Sequence, residues 1–85
     1  MESFEYTIHD VLGLHARSAG VLVKRLKPVE SKVTVTCGNR SASAKTIFAL
    51  MGMAIKCGET VTVIVEGGDE KALKGELLQF FKDHF

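Results

Sequence analysis

Gly13-Leu14-His15-Ala16-Arg17-Ser18-Ala19-Gly20-Val21-Leu22-Val23-Lys24-Arg25-Leu26 reads as a loop that turns into a helix. Gly13 permits a tight approach of the chain. Beyond it, Ala19, Leu22, Val23 and Leu26 recur at i, i+3, i+4 and i+7, the apolar stripe of an amphipathic helix. The pattern predicts a helix from Ala16 to Lys27, stopped by Pro28. The first turn of such a helix carries unpaired N–H groups and a partial positive charge, a ready site for an anion. His15 at its lip, with Arg17 two residues on, therefore suits chemistry on a phosphate. Spacing alone leaves plainer roles open. His15 also fits as a capping or solvated side chain, Arg17 as a surface charge, and Ser18 as a polar first-turn residue.

Before this segment, Phe4, Tyr6 and Ile8 alternate with Glu5 and Thr7, which predicts a half-buried strand, and His9 to Leu14 forms the loop. After it, Val33, Val35 and Cys37 alternate with Thr34 and Thr36 in a second strand. Gly38-Asn39 turns the chain into a short return strand, Arg40 to Ser43. Thr46 is placed to cap a brief helix over Ile47 to Met53. Val61, Val63 and Val65 mark a fourth strand, ended by Gly67-Gly68, and Asp69 caps a last helix with Leu73, Leu77, Phe80 and Phe81 on one face. The order is β-α-β-β-α-β-α. Each strand has a single apolar face, which suits a sheet covered on one side. The expected fold is an open-faced two-layer α/β (α+β) sandwich in one domain, residues 1–85.

Composition narrows the function. With 46% hydrophobic and 25% charged residues the chain has the make-up of an ordinary globule. A net charge of +1 argues against general nucleic-acid binding. Arg17, Lys24, Arg25 and Lys27 nevertheless gather on the first helix, a basic face suited to an acidic partner or simply to solvent. No stretch approaches the ~20 apolar residues of a membrane span, and Met1-Glu2-Ser3-Phe4 lacks a signal-peptide pattern, so a cytoplasmic location is expected. Cys37 and Cys57 are then expected as free thiols. Neither they nor His9, His15 and His84 show metal-ligand spacing, so neither a metal site nor a cofactor is expected.

The short middle helix is too apolar for one stripe. If Leu50 and Met53 face the core, Ile47, Phe48 and Met51 must be partly exposed. Exposed apolar residues in a group mark a docking surface, although a small domain can also wrap such a helix more deeply. Gly38 through Lys45-Thr46 hints at a phosphate-binding loop. Ala44 and Asn39 stand where that motif needs glycines, so nucleotide binding is not supported.

Gly13-Leu14-His15-Ala16-Arg17 resembles the active-site segment of the HPr family, the histidine phosphocarriers of the bacterial sugar phosphotransferase system. The likeness extends to the element order, to Lys45-Thr46 before the short helix, and to Gly67-Gly68-Asp69-Glu70 before the last one. It implies a four-stranded antiparallel sheet of order 1-4-2-3 with three helices on one face. It also implies a stoichiometric carrier, not an enzyme, and a monomer suits a carrier that visits several partners. Enzyme I, phosphorylated from phosphoenolpyruvate, would load Nδ1 (the pros nitrogen) of His15, and IIA proteins or domains of sugar permeases would unload it. A neutral imidazole is the nucleophile required, and the positive end of the first helix favours that form. The N–H groups of Ala16 and Arg17, with the Arg17 guanidinium, would meet the phosphoryl oxygens.

By position, the family's docking surface falls on Gly20, Val21, Lys24, Lys27, Ile47, Phe48 and Met51. Thr46 stands where many members carry a serine that a dedicated HPr kinase phosphorylates; a phosphate there would set negative charge among docking residues. The chain departs from the pattern at that threonine, which puts the kinase's action in doubt. It departs again at Ser18, where the family nearly always has a proline that presets the first-turn dihedral. Ser18 should leave the helix start less rigid and transfer slower. Two other roles stay open: a carrier in a regulatory, nitrogen-type phosphorelay, and a non-transferring regulatory module, the latter disfavoured by the presence of His15.

Overall fold

Valines 33, 35, 61, 63 and 65 occupy every second position of their segments and all are buried, the period that lines one face of a sheet. The computed structural model describes residues 1–85. Its order is β1 (Glu2–Thr7), α1 (Ala16–Leu26), β2 (Lys32–Cys37), β3 (Arg40–Ser43), α2 (Ile47–Gly52), β4 (Thr60–Glu66) and α3 (Glu70–His84). The strands make one antiparallel sheet in the order β1-β4-β2-β3. Phe4 pairs with Val63, Val63 with Val35, and Val35 with Ala42, so one buried row crosses all four strands.

The helices cover that row. Leu22 and Leu26 of α1, Leu50 of α2, and Leu73, Leu77 and Phe81 of α3 join the strand valines in one core. Phe81 packs edge-on against Phe4 and Tyr6, with ring centroids 5.6 and 5.8 Å apart. Burying a ring of this size contributes about 1.5–3 kcal/mol. Tyr6 and Phe80 are half-buried, so the alternation of β1 and the apolar face of α3 hold with softer edges than expected.

Element ends differ from expectation by one residue. The helix α1 stops at Leu26, with Lys27 as its C-cap donating to the Val23 carbonyl at 2.9 Å. The helix α2 stops at Gly52, and Met53 becomes its cap. Thr46 flanks α2 as expected, but its hydroxyl makes no capping bond; only its carbonyl takes part, accepting from Leu50 N–H at 3.1 Å. Asp69 does cap α3, accepting from Ala72 N–H at 3.4 Å.

Two polar clamps fix the connections around this core. Lys45 Nζ donates to the Val29 carbonyl, tying the approach to α2 to the turn after α1. Arg40 donates to Glu59 and, at 2.6 Å, to the Met53 carbonyl, and its guanidinium lies 3.2 Å from the Cys37 sulfur. Glu59 also accepts from Lys56 N–H at 2.8 Å. The β2–β3 hairpin is thereby bound to the segment joining α2 to β4. Burial, followed by the Glu59 contact, pushes the Cys37 thiol up, whereas the Lys56 amide and then Arg40 hold the Glu59 carboxyl below the usual range.

Candidate functional site

The loop after β1 is held from two sides. The N–H groups of His9 and Asp10 both donate to the Phe85 carbonyl oxygen beyond α3. On the other flank, Leu14 N–H donates to the Ile55 carbonyl at 3.0 Å, and the Leu14 side chain is buried. Between these anchors Gly13 N–H bonds the Asp10 carbonyl at 2.8 Å, closing a turn, and Leu12 N–H bonds Asp10 Oδ1 at 2.9 Å. Gly13 itself has φ of 66°, a conformation glycine adopts without penalty. A loop pinned this closely delivers the start of α1 to a defined place.

His15 sits at the N-cap of α1 with extended backbone angles, φ −116° and ψ 172°. Its carbonyl accepts from Ala19 N–H at 2.8 Å, the first bond of the helix. The Ser18 hydroxyl stands beneath it, accepting from His15 N–H at 3.4 Å and donating to the His15 carbonyl at 3.2 Å. Ser18 is buried, and its hydroxyl pins the residue that carries the imidazole. The looser helix start expected from the missing proline is therefore offset by a side-chain tie to His15.

The imidazole is half-exposed, and its Nε2 lies 3.4 Å from Asp10 Oδ2. Ala16 and Arg17 open the helix as its first two residues, where N–H groups have no intrahelical acceptor. Arg17 is exposed and enters none of the molecule's ion pairs. One half-exposed imidazole, a carboxylate on one ring nitrogen, two open amides and an uncommitted guanidinium thus lie within a few residues. Such a set can receive an anion at the helix mouth while the ring's other nitrogen stays available as a nucleophile.

The residues expected to dock partners lie on α1 and α2, which pack side by side: a Cβ at Gly20 would lie 3.7 Å from Ile47 Cδ1. Phe48 is 87% exposed, Met51 38% and Val21 42%, with Ile47 half-buried between them. Lys24 is exposed on the same helix as Val21, and Lys27 is exposed at its C-cap. Thr46 is exposed at the start of α2. The molecule's one groove, about 380 Å³ between the end of α1 and the start of α3, includes Arg25, Ser31 and Glu76 but none of these residues. His15 lies outside that groove, half-exposed at the surface.

Sequence reasoning missed three features. It left Asp10 in an unassigned loop, although a turn closed by Gly13 folds position 10 back toward position 15. It passed over Val11 and Leu12, which are exposed apolar residues in the loop that leads to the histidine. It also missed the Cys37–Arg40–Glu59 cluster: Cys37 and Arg40 face each other across the β2–β3 turn, but Glu59 is 19 residues beyond Arg40, too far in sequence to reveal the meeting.

Comparison with known proteins gives the family and the fold. The family profile described as the PTS HPr component phosphorylation site matches residues 2–83. A phosphocarrier protein HPr of Lysinibacillus sphaericus is 40% identical over 70 residues, covering 82% of this chain and 80% of the relative. One from Xylella fastidiosa (strain Temecula1) is 32% identical across 100% of this chain and 96% of its own. The solved structure of a Mycoplasma histidine-containing phosphocarrier protein superposes with a TM-score of 0.91 at 33% identity, covering 96% of this chain and 93% of that one. Fold and site together define a phosphocarrier of the phosphotransferase system. The chain belongs to the HPr family.

Proposed function

We propose that the 85 residues act as one cytoplasmic, monomeric carrier domain in sugar uptake. It takes a phosphoryl group from phosphorylated enzyme I onto Nδ1 of His15 and hands it to IIA proteins or domains. The observation that carries this reading is the placement of His15: it caps α1 beside the open amides of Ala16 and Arg17, with Asp10 occupying the Nε2 side. In loading, the Nδ1 lone pair forms the N–P bond as the donor's bond to phosphorus breaks, its electron pair leaving with the donor. The helix mouth and the Arg17 guanidinium then neutralise the phosphoryl oxygens. Positioning and charge stabilisation suffice for such a transfer, so the chain is a stoichiometric reactant and not a catalyst.

Partner docking falls to Gly20, Val21 and Lys24 of α1 and Lys27 at its C-cap, with Ile47, Phe48 and Met51 of α2. Thr46 is the candidate phosphosite for an HPr kinase. Its hydroxyl is exposed and makes no capping bond, and a phosphate on it would place charge beside Phe48.

Incubation with enzyme I and labelled phosphoenolpyruvate tests the reading. One acid-labile, base-stable phosphate per chain, absent from His15→Ala, is the expected result. An unlabelled wild-type chain overturns it in favour of a binding module.

A further inference from the structure

We infer that Asp10 is a positioning residue that keeps the proton of the His15 imidazole on Nε2, leaving Nδ1 as the open nucleophile. The carboxylate is built into place. Asp10 N–H is held by the Phe85 carbonyl, its own carbonyl by Gly13 N–H, and its Oδ1 by Leu12 N–H, so Oδ2 is the oxygen left to face Nε2 at 3.4 Å. The other partner is held as firmly, because the Ser18 hydroxyl grips both the N–H and the carbonyl of His15. A carboxylate can only accept. Facing Nε2, it favours the tautomer with hydrogen there, as carboxylates behind metal-bound histidines do.

The consequence for transfer rests on the carrier reading; the tautomer does not. Once phosphorus is bonded to Nδ1, Nε2 is the only ring nitrogen that can hold a proton. With Nε2–H retained beside Asp10, the N–P bond breaks with its electron pair returning to Nδ1, and the ring leaves as neutral imidazole. Without that proton it would have to leave as imidazolate, a far poorer leaving group. Asp10 therefore aids both loading and unloading.

Asp10→Asn is the informative variant. Its Oδ1 can still accept from Leu12 N–H, but its amide offers a donor toward Nε2 and so favours hydrogen on Nδ1. Nitrogen-15 NMR of the ring should show Nε2–H in the wild type and a shift toward Nδ1–H in the variant. Phosphoryl groups introduced chemically with phosphoramidate, and assigned to His15 by the phosphorus resonance missing from His15→Ala, should survive several-fold longer on the variant. Loading from phosphorylated enzyme I should slow by a similar factor. Identical tautomers and identical phosphohistidine lifetimes in the two proteins would overturn the role of Asp10. A wild type that shows Nε2–H but takes no phosphate from enzyme I would overturn the carrier reading and leave the tautomer assignment standing.

Discussion

Gly13 lies so close to the backbone of Ile55 that a Cβ built on it would stand 2.3 Å from the Ile55 carbonyl oxygen and 2.8 Å from Lys56 Cα. The oxygen it would strike is the one that accepts from Leu14 N–H. Neither neighbour is the movable tip of a side chain, so the loop itself must shift. Gly13→Ala should therefore cost about 2–3 kcal/mol, from positive φ and displaced backbone together, read as a lower urea midpoint. It should also slow loading of His15, because the loop that carries Asp10 moves. An alanine variant as stable as the wild type would show that the seat on Ile55 is dispensable.

Ser18 separates two ways of stiffening a helix start. Ser18→Ala removes both hydroxyl bonds to His15 and should destabilise the fold by about 1 kcal/mol. Ser18→Pro loses the same bonds but restricts the unfolded chain, which returns about 0.4–1 kcal/mol, so its melting temperature should stay above that of the alanine variant. Thermal unfolding of the three proteins checks the ranking.

Phe48 tests the docking surface without touching the core. At 87% exposure its ring supports little of the fold, so Phe48→Ala should change stability by no more than about 0.5 kcal/mol. Phosphoryl transfer to a IIA partner should lose at least tenfold in its second-order rate constant, as expected where an exposed aromatic anchors an interface. Equal rate constants for both proteins would remove Phe48 from the interface.

Glu59 predicts a pH dependence. Its carboxyl is held low by Lys56 N–H first and by Arg40 next. A folded-state value below the unfolded one adds stability that is fully present above the unfolded carboxyl's titration and is lost as pH falls through the folded one. The gap in urea midpoint between wild type and Glu59→Gln should thus be constant near neutrality and close in acid. A gap that persists unchanged at pH 2–3 (roughly two units below the usual glutamate value) would mean the ionised carboxylate is not its source.

The two thiols should part cleanly under an aromatic disulfide reagent. Cys57 is exposed and Cys37 is buried with its thiol pushed up by that burial, which leaves little thiolate to react. One rapid equivalent per native chain is expected, and a second only on unfolding.

Much of this architecture was legible because its signals are local. Alternating valines and threonines mark β2 and β4, Pro28 ends α1, and Asp69 announces α3, each by a rule that needs only neighbouring residues. The exposed face of α2 was legible for the same reason: Ile47, Phe48 and Met51 were more than one helical stripe can bury. What could not be read depends on returns of the chain. Asp10 meets His15 only because the turn at Gly13 is pressed against Ile55. Arg40 meets Glu59 only because α2 lies between them in sequence but not in space. The cap at Thr46 failed for a different reason: propensity allows its hydroxyl a bond that the local geometry of a six-residue helix does not make.

The absence of a cavity at His15 has a cost in time. The imidazole is open to solvent on one side, so under the proposed role a phosphoryl group carried there meets water from the moment the donor departs. The distance over which such a messenger is useful is set by a race between diffusion and spontaneous discharge. At 85 residues the molecule is small enough to diffuse quickly, which favours the first runner in that race.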